Sequence, residues 1–191
     1  MRNYAVVAYL DSQINNQFTS LWQALSDQNI TDYGVRPKGK RPHLTLADYD
    51  EIEAEIIEKH FKDVYRDVCP IEIQLSVLGS FIETGTLFFA PTFSMALHDF
   101  HTNHHQMFNI EQKLGMSLYS PGNWIPHVTI ASRLNEQQMI QAFSYSRSVF
   151  QRIEATITEV SLIKVVSNSK GNAMGEVEII SVLLKGLDIK K

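Results

Sequence analysis

One short stretch occurs twice in this chain, and it constrains the fold more than any other feature. Arg41-Pro42-His43-Leu44-Thr45-Leu46-Ala47 and Ile125-Pro126-His127-Val128-Thr129-Ile130-Ala131 share the skeleton Pro-His-x-Thr-x-Ala. An aliphatic residue fills each x, and the two histidines lie 84 residues apart. Side chains of a strand alternate between faces. His43 and Thr45 therefore share one face, and Leu44 and Leu46 the other; His127 and Thr129 oppose Val128 and Ile130 in the same way. Each strand buries its aliphatic side and presents a histidine and a hydroxyl.

The surrounding pattern is strand, helix, strand, helix, then a similar set, then a hairpin. Tyr4 to Leu10 reads as a buried strand. Asp11 or Ser12 caps a helix to about Gln28, with Ile14, Phe18, Leu21, Trp22 and Leu25 on its apolar stripe. A loop over 29–41 leads into the first motif strand, which ends near Tyr49. Asp50 caps a helix to about Asp67, with Ile52, Ile56, Ile57 and Phe61 as its inner side. Ile71 to Val77 alternates as a half-buried strand, and Gly79 to Phe81 extends it. Gly85 turns into a strand over Thr86 to Ala90, which Pro91 stops. A helix from about Thr92 to Leu114 ends at Gly115. The second motif strand spans Trp124 to Ser132, and Asn135 caps a helix to about Phe150. Strands Ala155 to Val166 and Glu176 to Lys185 close the chain, joined by a mobile linker over 167–175. The expected fold class is α+β, one domain over 1–191. It is read as an internal duplication with halves 1–68 and 69–154 and a closing hairpin 155–191. Each half makes an antiparallel sheet with helices outside, and the two sheets face a central groove.

Histidine exchanges protons near pH 7. Two imidazoles on opposite walls of a groove suit in-line displacement at phosphorus: one removes the proton of the attacking oxygen and the other protonates the leaving oxygen. The adjacent threonine hydroxyls, Thr45 and Thr129, bind the non-bridging oxygens that gather charge. This chemistry demands no metal and no cofactor. Two plainer readings exist. The histidines and threonines of a duplicated fold can simply bond one another in a core, and histidine pairs also ligate zinc, although no third ligand stands at a regular spacing.

The net charge of −4 and pI near 6.0 argue against an extended nucleic-acid surface, but leave room for a small nucleotide or the end of a strand. Cys69 is the only cysteine, which excludes an internal disulfide and fits a reducing compartment; it reads as a packing residue beside Pro70. No apolar run reaches the roughly 20 residues of a membrane span. A cytoplasmic protein is expected.

The two His-x-Thr strands resemble those of the two-histidine (2H) phosphoesterase superfamily, the 2'-5' RNA ligase-like or LigT-like family. Leu87-Phe88-Phe89-Ala90-Pro91, Leu97-His98 and the run Trp124 to Thr129 resemble its bacterial branch in the same order. The resemblance implies a bilobal duplicated α+β fold with a central cleft. It implies hydrolysis of 2',3'-cyclic or 2'-5' phosphodiesters in nucleotides or RNA ends. His43 and His127 would then be the acid–base pair, and Thr45 and Thr129 the phosphate ligands. Around them, Arg41, Lys38, Lys40 and Arg133 are candidates to attract substrate, with a solvated loop as the plain alternative. Tyr9, Phe81, Tyr119 and Trp124 are candidates to stack a base, with core packing as the alternative. His98, His101 and His105 share a helix face, read as a polar flank or a partly buried face rather than a metal cluster; His60 and His104 have no evident partner. Two other functions fit the motifs: a cyclic di- or oligonucleotide phosphodiesterase of signalling or defence, and a nucleotide- or RNA-end-binding module without turnover. Oligomeric state is not legible.

Overall fold

The computed structural model describes residues 3–108, 117–169 and 173–185. Seven strands and four helices alternate along the described chain: β1 (Tyr4–Leu10), α1 (Ser12–Asp27), β2 (His43–Tyr49), α2 (Glu51–Tyr65), β3 (Ile71–Phe81), β4 (Thr86–Pro91), α3 (Met95–Phe108), β5 (Val128–Ala131), α4 (Glu136–Val149), β6 (Ile153–Ser167) and β7 (Ala173–Leu183). The α+β class is as expected.

The helices begin where short polar side chains satisfy their first amides. Asp11 Oδ1 accepts from Ile14 N–H at 3.1 Å, and its other oxygen accepts from Thr156 N–H at 2.9 Å, so one cap also ties α1 to β6. Asp50 with Glu53, and Asn135 with Gln138, form reciprocal capping boxes. α1 buries Ile14, Phe18, Leu21, Trp22 and Leu25, the expected stripe. α2 departs from expectation: it buries Ala54, Ile57, Phe61 and Tyr65, while Ile52 and Ile56 are exposed. Residues 54, 57, 61 and 65 follow the three-to-four spacing of one helix face. Ile56 precedes Ile57 by one position, about 100° round the helix, and both cannot face the core.

The expectation of two separate sheets gives way to one. All strand pairs are antiparallel, in the order β1-β2-β5-β4-β3-β6-β7, and β1 also pairs with β6. That extra pairing closes six strands into a ring with β7 attached to β6. The cause is the length of β6, which spans 15 residues. Its first part pairs with β3 through Ile153 to Ile157, and its middle with β1 from Ile157 to Lys164. The closing hairpin of β6 and β7 is therefore part of the central sheet. The linker between its strands is also shorter than expected, because Ser167 already pairs with Ala173.

Other boundaries shift for local reasons. Thr92 N–H donates to Gln74 carbonyl at 2.7 Å and continues the sheet, so α3 starts only at Met95; the expected end at Leu114 and Gly115 lies outside the described residues. Pro91 lies within β4, opposite Leu75. β5 is shorter than expected because Asn123 and Trp124 N–H both turn back to Ser120 carbonyl. Cys69 is exposed rather than packed.

The two faces of the sheet differ. Val6, Ala8, Leu10, Leu44, Leu46, Val128, Ile130, Val160 and Leu162 pack into the main core with the helices. On the other face Val7, Tyr9 and Ile163 form a small cluster, with Val7 beside Thr45 and Tyr9 beside His43 of the first motif.

Candidate active site

β2 and β5 meet at Leu44 and Val128. Counting outward from that antiparallel pair puts His43 level with Thr129, and Thr45 level with His127, all on the face away from the helices. Each histidine therefore stands opposite the threonine of the other strand. The two histidines form a diagonal pair, with a typical separation of roughly 7–8 Å. All four side chains are half-buried, whereas Leu44, Leu46, Val128 and Ile130 are buried.

The imidazoles are held alike. His43 Nδ1–H donates to the carbonyl of Arg41 at 2.7 Å, and His127 Nδ1–H to the carbonyl of Ile125 at 2.7 Å. A carbonyl only accepts, so the proton sits on Nδ1 and the neutral ring keeps a lone pair on Nε2. The accepting residue precedes a proline in both copies, and that position is restricted to extended backbone. Pro42 and Pro126 thus help aim the carbonyl that sets the tautomer.

The walls behind the two rings are unlike. His127 lies edge-on to Phe81, with ring centroids 4.9 Å apart, and against Phe88 at 5.2 Å. Phe88 stands opposite Thr129 on β5 and opposite Gly79 on β3. A Cβ on Gly79 would sit 3.0 Å from the Phe88 ring, so the missing side chain lets that ring lie flat. His43 instead borders charged groups. Tyr9 meets it edge-on at 6.0 Å. Arg41 makes a two-pronged contact with Glu159, at 3.1 and 2.7 Å, and its guanidinium lies 3.7 Å above the Tyr9 ring. Lys40 pairs with Glu176 at 2.8 Å, with both side chains buried.

Burial pushes His43 down to about 4; Glu176 pulls it upward, while Lys40 and His127 push it further down. His43 therefore senses the charge of His127 across the site. His127 is lowered as well, by burial, against the lift of the Ile125 carbonyl.

The remaining expected residues divide. Of the candidates to attract substrate, Lys40 is paired with Glu176 and Arg41 with Glu159. Lys38 is exposed, and its backbone bridges to Gly175. Arg133, exposed and with a left-handed φ of 61°, helps line a cavity of about 340 Å³ with Arg36, Tyr33 and Ser132. Among the aromatics, Phe81 is half-buried beside His127. Tyr9 is 2% exposed and covered by Arg41, so it has no face for a base. Trp124 stacks flat on His101, centroids 3.9 Å apart, and its Nε1–H donates to Thr45 carbonyl at 2.9 Å. Tyr119 shares a hydrogen bond with the Thr45 side chain.

The α3 histidines hold the back of β2. His101 and His105 meet at 3.1 Å through their Nε2 atoms, beside the carbonyl of Leu46. His98 stands apart, exposed against Asp99. His104, without an evident partner in sequence, bonds Tyr49 at 2.7 Å and Tyr65 at 2.6 Å. Among the described residues no group of three or more His, Cys, Asp or Glu side chains is arranged to hold a metal.

Known proteins agree with this arrangement of strands. The 2'-5' RNA ligase superfamily matches residues 10–168. The chain belongs to that superfamily. This bears out the resemblance carried by the two His-x-Thr strands, and membership supports an enzyme of the phosphoesterase or ligase type acting on phosphodiester bonds. No curated protein matches the chain in sequence. Solved structures share its fold. The Thermus thermophilus protein TT0787 superposes with a TM-score of 0.61 at 16% identity, over 97% of this chain and 99% of its own. E. coli LigT in its apo form gives 0.61 at 12% identity, over 96% and 98%. A further phosphoesterase gives 0.61 at 14% identity, over 96% and 98%.

Proposed function

We propose that this superfamily member is a metal-independent phosphodiesterase that hydrolyses 2',3'-cyclic phosphates or 2'-5' linkages in nucleotides or RNA ends. The observation that carries this reading is the crossed pairing of the two motifs: each histidine faces a threonine of the other strand on one open face, with Nδ1–H held by a carbonyl and the lone pair left on Nε2 in both rings. A phosphate between the rings meets two proton-transfer groups and two hydroxyls. E. coli LigT has been crystallised with 3'-AMP, with phosphate, with NADP+ and with ATP, which supports a nucleotide substrate here.

The reaction runs in line. His43 Nε2 takes a proton from water as its oxygen attacks phosphorus. The P–O bond to the leaving ribose oxygen breaks on the opposite side, and protonated His127 donates to that oxygen. Thr45 and Thr129 hydrogen-bond the non-bridging oxygens. The roles are assigned from burial: it pushes His43 down to about 4, so His43 is neutral above that pH and serves as the base, which leaves His127 as the acid. Phe81 offers the nucleobase an aromatic edge beside His127.

The test is incubation with 2',3'-cyclic nucleotides, 2'-5' dinucleotides and cyclic dinucleotides, with and without EDTA, products being separated by chromatography. Turnover of the first two classes, unaffected by EDTA, is expected. Turnover of cyclic dinucleotides alone would move the reading to a signalling or defence phosphodiesterase. Binding without product would leave a nucleotide-binding module.

A further inference from the structure

The loop ahead of the first motif is strapped to β7, a strand 136 residues further along the chain. Lys38 N–H donates to Met174 carbonyl at 3.2 Å, and Glu176 N–H to Lys38 carbonyl at 2.8 Å. Gly39 has φ +75°, and a Cβ there would sit 2.5 Å from the Glu176 carbonyl oxygen, so only glycine lets the two backbones approach this closely. Lys40 then reaches Glu176 Oε1 at 2.8 Å, their side chains 7% and 4% exposed, with the Tyr33 ring 4.6 Å from the ammonium. The next residue, Arg41, supplies the carbonyl that holds His43.

The second oxygen of Glu176 is buried and has no hydrogen-bond partner among the described residues. A buried carboxylate with one oxygen unanswered is costly unless it compensates a charge. The groups that act on His43 are Lys40 and the Arg41 carbonyl from the loop, Glu176 from β7 and His127 across the site, with Tyr9 of β1 edge-on to the ring; Glu159 of β6 and Glu178 of β7 lie behind them, against Arg41 and Tyr9. Arg41 already answers Glu159, and lies 3.9 Å from Glu178.

We propose that Glu176 is a positioning residue for His43: its ion pair with Lys40 holds the loop that aims the ring, and its carboxylate is the counter-charge for the imidazolium formed when His43 accepts a proton. The inference rests on His43 being one of the acid–base pair. It goes beyond that pair by making the charge of β7 part of the site. Burial alone would leave His43 a feeble base, and the Glu176 carboxylate restores part of its basicity.

A merely structural strap and a charge-tuning pair differ in sign. Breaking a strap from either end disturbs His43 the same way. Removing opposite charges moves a titration in opposite directions. The experiment is an NMR titration of His43 in the full chain for wild type, Glu176→Gln and Lys40→Gln, with His127 as internal reference. The pKa of His43 is expected to fall by about one unit or more in E176Q, a tenfold loss of the protonated fraction, and to rise in K40Q, with His127 moving less. On a 2',3'-cyclic nucleotide, kcat should fall about tenfold in E176Q with KM little changed, and Glu176→Asp should recover part of it. An unmoved His43 in E176Q, or shifts of the same sign in both variants, overturns the proposal. If E176Q does not fold, K40Q decides: a raised His43 pKa supports the proposal, and an unchanged or lowered one defeats it. The titration needs no turnover, so its result is separable from the loss of activity in His43→Ala, which judges the underlying reading.

Discussion

His43 and His127 carry the same proton arrangement because each follows a proline and donates Nδ1–H to the carbonyl just before it. Burial lowers the proton affinity of both rings, and this sets a pH dependence. The base must be neutral, so kcat/KM falls as pH drops through about 4, where His43 protonates. The acid must be charged, so kcat/KM also falls as pH rises through the pKa of His127, which burial places below 6.5. The profile should be a bell with its maximum on the acid side of 6.5; a rate still rising at about pH 8 would contradict the assignment. The histidines and threonines were legible in sequence because the His-x-Thr spacing is local and puts both side chains on one face of a strand. Glu176 and Glu159 were not, because they approach Lys40 and Arg41 only after β6 and β7 enter the sheet.

At the level of elements, caps and stripes explain what could be read. Asp11, Asp50 and Asn135 announced their helices because a cap acts within about three residues. Asp11→Ala should destabilise the fold by about 1–2 kcal/mol, since it frees Ile14 N–H and also Thr156 N–H; a urea titration checks it. The α2 face was misread because Ile52 and Ile56 are apolar yet exposed, and hydrophobicity alone does not say which face meets α3. The role of His104 was hidden for the same reason: its partners Tyr49 and Tyr65 come from β2 and α2. Tyr65→Phe leaves His104 Nδ1 buried without its partner, and should cost about 1–3 kcal/mol, with a matching fall in denaturation midpoint.

For the molecule as a whole, the ring of strands brings β2 and β5 together. The repeat announced that its two copies belong together, but not how, since strand order depends on which edges β6 bridges. The same packing encloses a set of titratable rings. Burial lowers His43 and His101 to about 4, and lowers His104 and His105 as well. Their pKa values in the fold lie below the ordinary 6.5, so the unfolded chain takes up protons first as pH falls. Stability should be full above about 6.5 and decline from there toward 4, each unit of depression being worth about 1.4 kcal/mol. Urea midpoints at about pH 7.5 and about pH 4.5 measure this; equal midpoints would contradict the burial described. The central claim, that two imidazoles work on one phosphate, is tested most directly by the hydrolysis rate of a 2',3'-cyclic nucleotide in His43→Ala, His127→Ala and the double variant. Each single change should slow the reaction by about 10²–10⁴-fold, with the double variant scarcely slower than the worse single. A wild-type rate in either single variant would contradict it.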